Sequence, residues 1–270
     1  MLSIGEDKLF QSEKNWKRNL KKQVKLMYKN LKKVIKKIVP KALIYKNENF
    51  LRSVIALKYK GNTFQCNICQ FKLSQFIENE RGGRLCPKCG SVSRSRRLWH
   101  ILKDEVEGKV MLHFSPSLKL SQNIKNSKVK EYITTDYVGE FNANKQLDIE
   151  NINEPDQYFD CIVCFHILEH INQDTKAMTE LFRILKPNGA CYIQTPFKDG
   201  TIYEDDTIIS KVERLKHFGQ EDHVRIYSVS GLIERLHNVG FTTETLHFTN
   251  AKDNLFGFSE NETIIKAFRN

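Results

Sequence analysis

The chain has no apolar run approaching the roughly 18 to 20 residues needed to cross a bilayer. Its opening residues, MLSIGEDKLF, lack the basic-then-apolar order of a secretion signal. Both absences point to an intracellular, cytoplasmic protein. Hydrophobic residues make up 40% and charged residues 28% of the 270 positions, which excludes wholesale disorder. No internal repeat is visible, and the length suits one large domain with a smaller addition. Acid is missing from one place in particular: residues 14–46 hold 13 Lys or Arg and no Asp or Glu, whereas residues 47–270 hold 29 of each sign. The net charge of +11 therefore belongs to one N-terminal segment attached to an electrically balanced body.

That segment has helical periodicity, because Trp16, Leu20, Val24, Met27, Leu31, Ile35 and Ile38 recur at steps of three or four and Pro40 closes the pattern. Lysines fill the other faces. Such a helix can pack on its own domain, lie through residues 16–39 on an anionic membrane surface such as the inner face of a bacterial membrane, or neutralise RNA phosphates. The expected division is a basic amphipathic region over 1–60, a small cysteine-rich module over 61–93 and a larger domain over 94–270.

Of seven cysteines, four form the pairs Cys66 and Cys69, then Cys86 and Cys89, with 16 residues between the pairs. Two residues between thiolates let a tight turn aim both sulfurs at one ion, and two such turns complete a closed tetrahedron. A structural Zn2+ is the expectation, with two disulfides or buried thiols as the alternative. Gly90 supplies the permissive backbone of the second turn, Phe71, Leu73, Phe76 and Ile77 give apolar cover, and residues 81–84 read as a hairpin turn. Cys161 and Cys164 share the spacing but lie in the apolar run 159–165, where a strand would point them to opposite faces.

Beyond Ser93, expected to cap a helix through Leu98, Trp99 and Leu102, strands alternate with helices. Strands are expected at 109–113, 131–135, 145–149, 161–165, 190–194, 241–248 and 262–268, and helices at 117–126, 174–186 and 229–238, the second stopping at Pro187-Asn188-Gly189. Alternation of this kind predicts an α/β fold, a Rossmann-like seven-stranded mostly parallel sheet whose ligands sit at the carboxyl ends of its strands.

The order of punctuation is more specific. Asp136 follows one strand, Asp148 closes the next, residues 158–170 read YFDCIVCFHILEH, and Leu185-Lys186-Pro187-Asn188-Gly189 enters another strand. On this ordered set, residues 94–270 resemble the class I S-adenosylmethionine-dependent methyltransferases, within them a bacterial subset with an N-terminal CxxC/CPxCG zinc ribbon and a later segment like His217–Tyr227 here. The resemblance implies S-adenosylmethionine as cofactor. It places Asp136 on the ribose hydroxyls with Tyr137 beside it, Asp148 and Ile149 at the adenine, and Phe165 and His166 along the methionine part, with Glu169 and His170 orienting the turn. It also assigns the turn after the first strand, His113, Phe114 and Ser115, to the cofactor, although 112–118 contains none of the glycines that such enzymes usually carry there. Ser115 and Ser117 offer hydroxyls instead, and Ser117 can cap the next helix.

Residues 196–227 are long for a connection and rich in polar groups, as substrate loops often are. His217 and His223 are the expected catalytic bases, Asp222 can orient either, and Arg214 and Arg225 can clamp an anionic acceptor. Three functions follow: methyl transfer to a small-molecule, sugar or lipid-linked glycan acceptor; methylation of RNA gripped by the ribbon, Arg94, Arg96, Arg97 and the N-terminal lysines; or a non-catalytic binding module with a degenerate cofactor site.

Overall fold

A computed structural model describes residues 48–78, 83–139, 143–249 and 254–270. The basic helix expected over 16–38 and the turn residues Arg81 and Gly82 lie outside them. The chain divides into two compact units, Met1–Ile55 and Ala56–Asn270. Helix α1 (Glu48–Leu57) precedes two small antiparallel pairs, β1 (Lys60–Gln65) with β2 (Lys72–Leu73) and β3 (Ile77–Glu78) with β4 (Arg84–Leu85).

The larger unit is built on α2 (Ser93–Leu102), β5 (Val110–Phe114), α3 (Leu118–Asn126), β6 (Glu131–Thr135), β7 (Phe159–Phe165), α4 (Asp174–Ile184) and β8 (Leu185–Gln194). It continues through β9 (Tyr203–Glu204), α5 (Lys211–Phe218), β10 (Arg225–Ile226), α6 (Val229–Val239), β11 (Thr242–Phe248) and β12 (Glu262–Phe268). A six-stranded sheet runs in the order β11-β12-β8-β7-β5-β6. Its pairs from β6 to β8 are parallel, and those of β12 with β8 and β11 are antiparallel. The chain leaves β5 toward β6 on one side and returns on the other as β7, so the crevice between the ends of β5 and β7 is the topological switch point where ligands of such sheets bind.

The parallel strands read as unbroken apolar runs because both their faces are covered. Every residue of β5 is buried, and Cys161 and Cys164 of β7 join opposite core clusters, as their spacing requires. Burial pushes both thiols up, Cys161 to about 12. Helix α4 buries Ala177, Met178, Leu181 and Ile184 at helical spacing. Helix α6 starts at Ser228, whose hydroxyl accepts the Gly231 N–H at 3.1 Å, and ends on Gly240 in the left-handed conformation.

Two sequence expectations are corrected. Residues 145–149 form no sheet strand: Lys145 makes one isolated bridge to Thr135, Asp148 another to Asn151, and Lys145, Gln146 and Asp148 are exposed. The sheet therefore has six strands where seven were expected. The Leu185–Gly189 segment is no turn before a strand but the bulged start of β8, with Asn188 at φ 61° and the register against β7 shifting between Phe159 and Cys161. Ser93 also differs: it is the first helical residue, behind Val92 at the cap position, and its hydroxyl accepts from Ser259.

Arg96 secures the cysteine turns to this sheet. It is fully buried and donates to four carbonyls, Ser91 and Arg84 on the ribbon side and Phe256 and Gly257 before β12, at 2.6–3.0 Å. Its guanidinium also stacks 4.2 Å from the Phe76 ring centre. Gly257 is needed there, since at φ 61° an added Cβ would meet the Phe76 ring at 2.1 Å. Replacing Arg96 by Met leaves these carbonyls without donors and is expected to cost about 3–5 kcal/mol. For a domain of this size that is a fall of roughly 10 °C in Tm, measured by calorimetric unfolding.

Candidate active site

A cavity of about 940 Å³ opens at the carboxyl ends of β5 and β7, within the range of about 300–1,000 Å³ usual for cofactor sites. Its lining combines apolar groups, Leu98, Phe114, Leu120, Phe165 and Phe218 among them, with Ser115, Ser117, His166, His170, Gln220 and His223. Both strands leave the sheet by turning one residue into the left-handed region, Ser115 at φ 46° and His166 at φ 56°. Each turn is pinned by its own N–H, Ser115 to the Thr135 carbonyl and His166 to the Gln194 carbonyl, both at 2.7 Å. The backbone shape that glycines usually supply is thus adopted by a serine, held in place by the neighbouring strand.

Of the cofactor candidates, His113, Phe114, Ser115, Phe165 and His166 share this cavity. Asp136 is buried at the end of β6 and accepts the Ser115 hydroxyl at 2.7 Å, which sets it beside the cavity rather than across it. Tyr137 and Asp148 are exposed and outside the lining; the Asp148 carboxylate accepts the Glu150 N–H at 2.9 Å in a local turn. Ile149 is buried in the core cluster. Ser117 stands at the cap position of α3 without capping it, and its hydroxyl is buried in the lining with no partner. A cavity with an aromatic and aliphatic floor and an unsatisfied hydroxyl at its strand ends suits an adenosine with polar substituents.

The opposite wall comes from residues 196–227, which fold as a strand pair, β9 with β10, around α5. His223 is buried; its Nδ1 lies 3.2 Å from the Phe218 carbonyl, so Nδ1 carries the proton and Nε2 accepts from the Gln220 amide at 2.8 Å. Burial holds its pKa below the ordinary value. His170, on the short 3-10 turn Leu168–His170, packs edge-to-face against it with ring centres 4.7 Å apart. Asp222 meets His170 Nδ1 at 3.2 Å, and neither His217 nor His223. His217 is elsewhere, its Nδ1 2.7 Å from the Tyr203 hydroxyl and outside the lining.

Arg225 is no free clamp for an anionic acceptor. It is buried and donates to the Leu168, Ile171 and Asn172 carbonyls and to Glu204, fastening the 3-10 turn to the segment that carries His223. Of Glu169 and His170, read from sequence as orienting groups, His170 lines the cavity, whereas Glu169 is fully buried on the same turn outside the lining and accepts the His166 Nδ1–H at 3.1 Å. Their LEH placement was the available signal.

The four cysteine sulfurs also converge, all within 4.8 Å of one another. Cys66 and Cys89, and Cys69 and Cys86, are each 3.7 Å apart. A disulfide would need about 2.05 Å, whereas a tetrahedron with bonds of about 2.3 Å has edges of about 3.8 Å. Once one thiol ionises, its charge and hydrogen bonds push Cys69 and Cys86 upward, so only a cation would let all four be thiolates. Gln70 and Gly90 follow the two pairs at φ 58° and 73°, which closes both turns.

His113 gives the site an acid limit. Burial lowers its pKa from 6.5 to about 3, and its Nδ1 pairs with the Tyr132 hydroxyl at 2.9 Å. Below pH 6.5 the unfolded chain takes a proton that the folded chain refuses, so stability present above that value is lost as pH falls toward 3, by about 1.4 kcal/mol per unit. Urea titrations at pH 7 and pH 5 are expected to show His113→Gln losing about 2 kcal/mol less than the wild type over that interval.

A family profile described as a methyltransferase domain matches residues 102–246. No curated protein is a recognisable relative of the chain. Solved structures with a similar fold include the YcgJ protein of Bacillus subtilis, 16% identical over 66% of this chain and 99% of its own with a TM-score of 0.46. A S-adenosylmethionine-dependent methyltransferase from Mesorhizobium loti is 13% identical over 63% and 97% with a TM-score of 0.49. Another from Archaeoglobus fulgidus is 15% identical over 65% and 93% with a TM-score of 0.48. With the profile spanning more than half of its length, the chain belongs to the methyltransferase-domain family, the class I S-adenosylmethionine-dependent methyltransferases.

Proposed function

We propose that the protein transfers a methyl group to a hydroxyl of a small-molecule, sugar or lipid-linked glycan acceptor, with S-adenosylmethionine in the cavity at the ends of β5 and β7 and a structural Zn2+ held by Cys66, Cys69, Cys86 and Cys89. The observation that carries the choice of acceptor is the pair of imidazoles, His170 and His223, that line one cavity with the strand-end turns, the buried Glu169 carboxylate lying within 4.8 Å of both. A hydroxyl is a poor nucleophile until its proton has somewhere to go, and a group of this kind within hydrogen-bond reach provides it.

S-adenosylmethionine, when bound, supplies a methyl group on a positively charged sulfur. The chain's own tasks are to position and to exclude water. Asp136 is assigned to the ribose hydroxyls beside Ser115, and the Ser117 hydroxyl to the cofactor's polar end. The acceptor oxygen is assigned to the space before His170 and His223, since a roughly 3–3.5 Å approach in line with the breaking bond is the geometry of displacement. Phe218 and Gln220 flank that space from the 196–227 segment.

RNA is disfavoured as the acceptor by two of the three arginines that would have to grip it, Arg94 being the one of the three that is exposed. Arg96 is buried on carbonyls, and Arg97 is buried against Glu262 at 3.1 Å and the Phe258 ring at 3.9 Å. Neither presents its charge to a phosphate. The closed four-cysteine set has no open position either, which supports a stapling and not a catalytic metal.

Calorimetry with S-adenosylhomocysteine is expected to show binding that Asp136→Ala weakens at least tenfold; silence from the folded wild type would remove the enzyme. Radiolabelled methyl transfer is expected to mark a bacterial glycan or hydroxylated small-molecule fraction, and label appearing in RNA alone would overturn the acceptor class. Elemental analysis of protein purified without chelators is expected to give one zinc per chain, lost on Cys66→Ser together with much of the thermal stability.

A further inference from the structure

Glu169, His170 and His223 each offer one ligand atom within 4.8 Å of the other two. Two imidazoles that line an open cavity, with a carboxylate buried against them, are the donor set of divalent-metal sites that keep positions for a substrate. The other nitrogen of each imidazole is already held. His223 Nδ1 is engaged by the Phe218 carbonyl at 3.2 Å, which leaves Nε2 as the lone-pair nitrogen. His170 Nδ1 is engaged by the Asp222 carboxylate at 3.2 Å, which likewise leaves Nε2 as the lone-pair nitrogen. Metal-ligating histidines are held in this way, by a carbonyl or carboxylate on the other ring nitrogen.

The third ligand carries an independent signal. Glu169 is fully buried; one carboxylate oxygen takes the His166 proton at 3.1 Å, and the other, Oε2, is buried with no partner at all. An orphaned buried carboxylate oxygen is costly, so a group that satisfies it is to be expected. Arg225 fixes the spacing of the three, since it ties the 3-10 turn bearing Glu169 and His170 to the strand that follows His223, while the Val224 N–H donates to the Glu169 carbonyl at 2.9 Å.

We propose that Glu169, His170 and His223 bind a divalent transition-metal cation, of the Mn2+ to Zn2+ series, whose open positions take the acceptor hydroxyl. The Gln220 amide, 2.8 Å from His223 Nε2, is the group the cation displaces. Bound to a cation, the hydroxyl oxygen loses its proton more readily, which is what methyl transfer to oxygen requires. Only this last role rests on the proposed methyl transfer; the binding of the cation does not.

The test uses the full chain with its four-cysteine site zinc-loaded, and Mn2+ as the probe, because thiolates take that ion poorly and nitrogen and oxygen donors take it well. The loss of the free-ion paramagnetic resonance signal is expected to report one Mn2+ per chain. His170→Ala and His223→Ala are expected to abolish it. Asp222→Asn, whose side chain is 69% exposed and no part of the core, is expected to weaken it by roughly 10- to 100-fold. Absence of Mn2+ binding, or binding unchanged in His170→Ala, His223→Ala and Asp222→Asn, overturns the site. S-adenosylhomocysteine calorimetry on the same samples separates the two questions. Cofactor binding without Mn2+ binding removes the cation and leaves the methyltransferase, whereas Mn2+ binding without cofactor binding does the reverse.

Discussion

The cleft depends on how two strands stop. At the carboxyl ends of β5 and β7 the backbone turns left-handed at Ser115 and His166, a conformation that costs a residue with a side chain roughly 1–2 kcal/mol. Neither residue can relax into an extended continuation of its strand, because each N–H is held by the next strand, at Thr135 and Gln194. The two turns lie next to each other since β5 and β7 are neighbours in register, His113 opposite Val163. Between them they open the cavity and present Ser115 to Asp136 on one side and His166 to Glu169 on the other. A glycine at 115 would remove the strain but also the hydroxyl that holds Asp136.

Three arginines of the body, Arg96, Arg97 and Arg225, are buried and structural. Arg96 gathers carbonyls from the cysteine module and from the segment before β12, Arg97 pairs with Glu262, and Arg225 gathers carbonyls from the turn after β7. In each case a planar guanidinium with several fixed donors meets several acceptors at once, something a lysine cannot do. A buried charge of this kind is tolerable only because it is hydrogen-bonded. The consequence for function is that a count of positive residues near the ribbon overstates the surface available to phosphate.

Much of the scaffold was legible in the sequence. Residues 159–165 and 110–114 are long enough, apolar enough and β-branched or aromatic enough to be buried parallel strands, and the CxxC spacing announced four converging sulfurs. Residues 145–149 misled because Leu147 and Ile149 give the alternation of a strand, yet both bury into the core from a loop that makes only isolated bridges. Pro187-Asn188-Gly189 misled in the other direction, since turn residues also serve a bulge in which Asn188 takes the positive φ. The site was harder. Asp222 was expected near His217 or His223 and meets His170, and His170 and His223 are joined by packing across the 52 intervening positions that include α4, β8 and most of the inserted segment. Nothing in local spacing encodes that encounter; it is set by Arg225, whose partners on the turn after β7 are carbonyls and so leave no trace in the sequence.

The distribution of unsatisfied polar atoms separates what the fold needs for itself from what it holds for something else. Among the described residues five buried side-chain atoms have no partner: Asn67 Oδ1, Ser117 Oγ, Glu169 Oε2, Gln194 Oε1 and Thr195 Oγ1. All but the first stand just beyond or at the carboxyl ends of β5, β7 and β8, and Ser117 lines the main cavity while Gln194 and Thr195 line a smaller one that shares His166 and Arg94 with it. Each such atom costs about 1–3 kcal/mol. Random imperfection of packing would scatter them through a sheet of this size. Their concentration on one edge, beside two residues already in strained backbone, is the pattern of a surface shaped to be completed by ligands, and it argues against a binding module that has lost its site. The glycine-poor turn, which alone would have pointed to that loss, is instead one of the places where the incompleteness is concentrated.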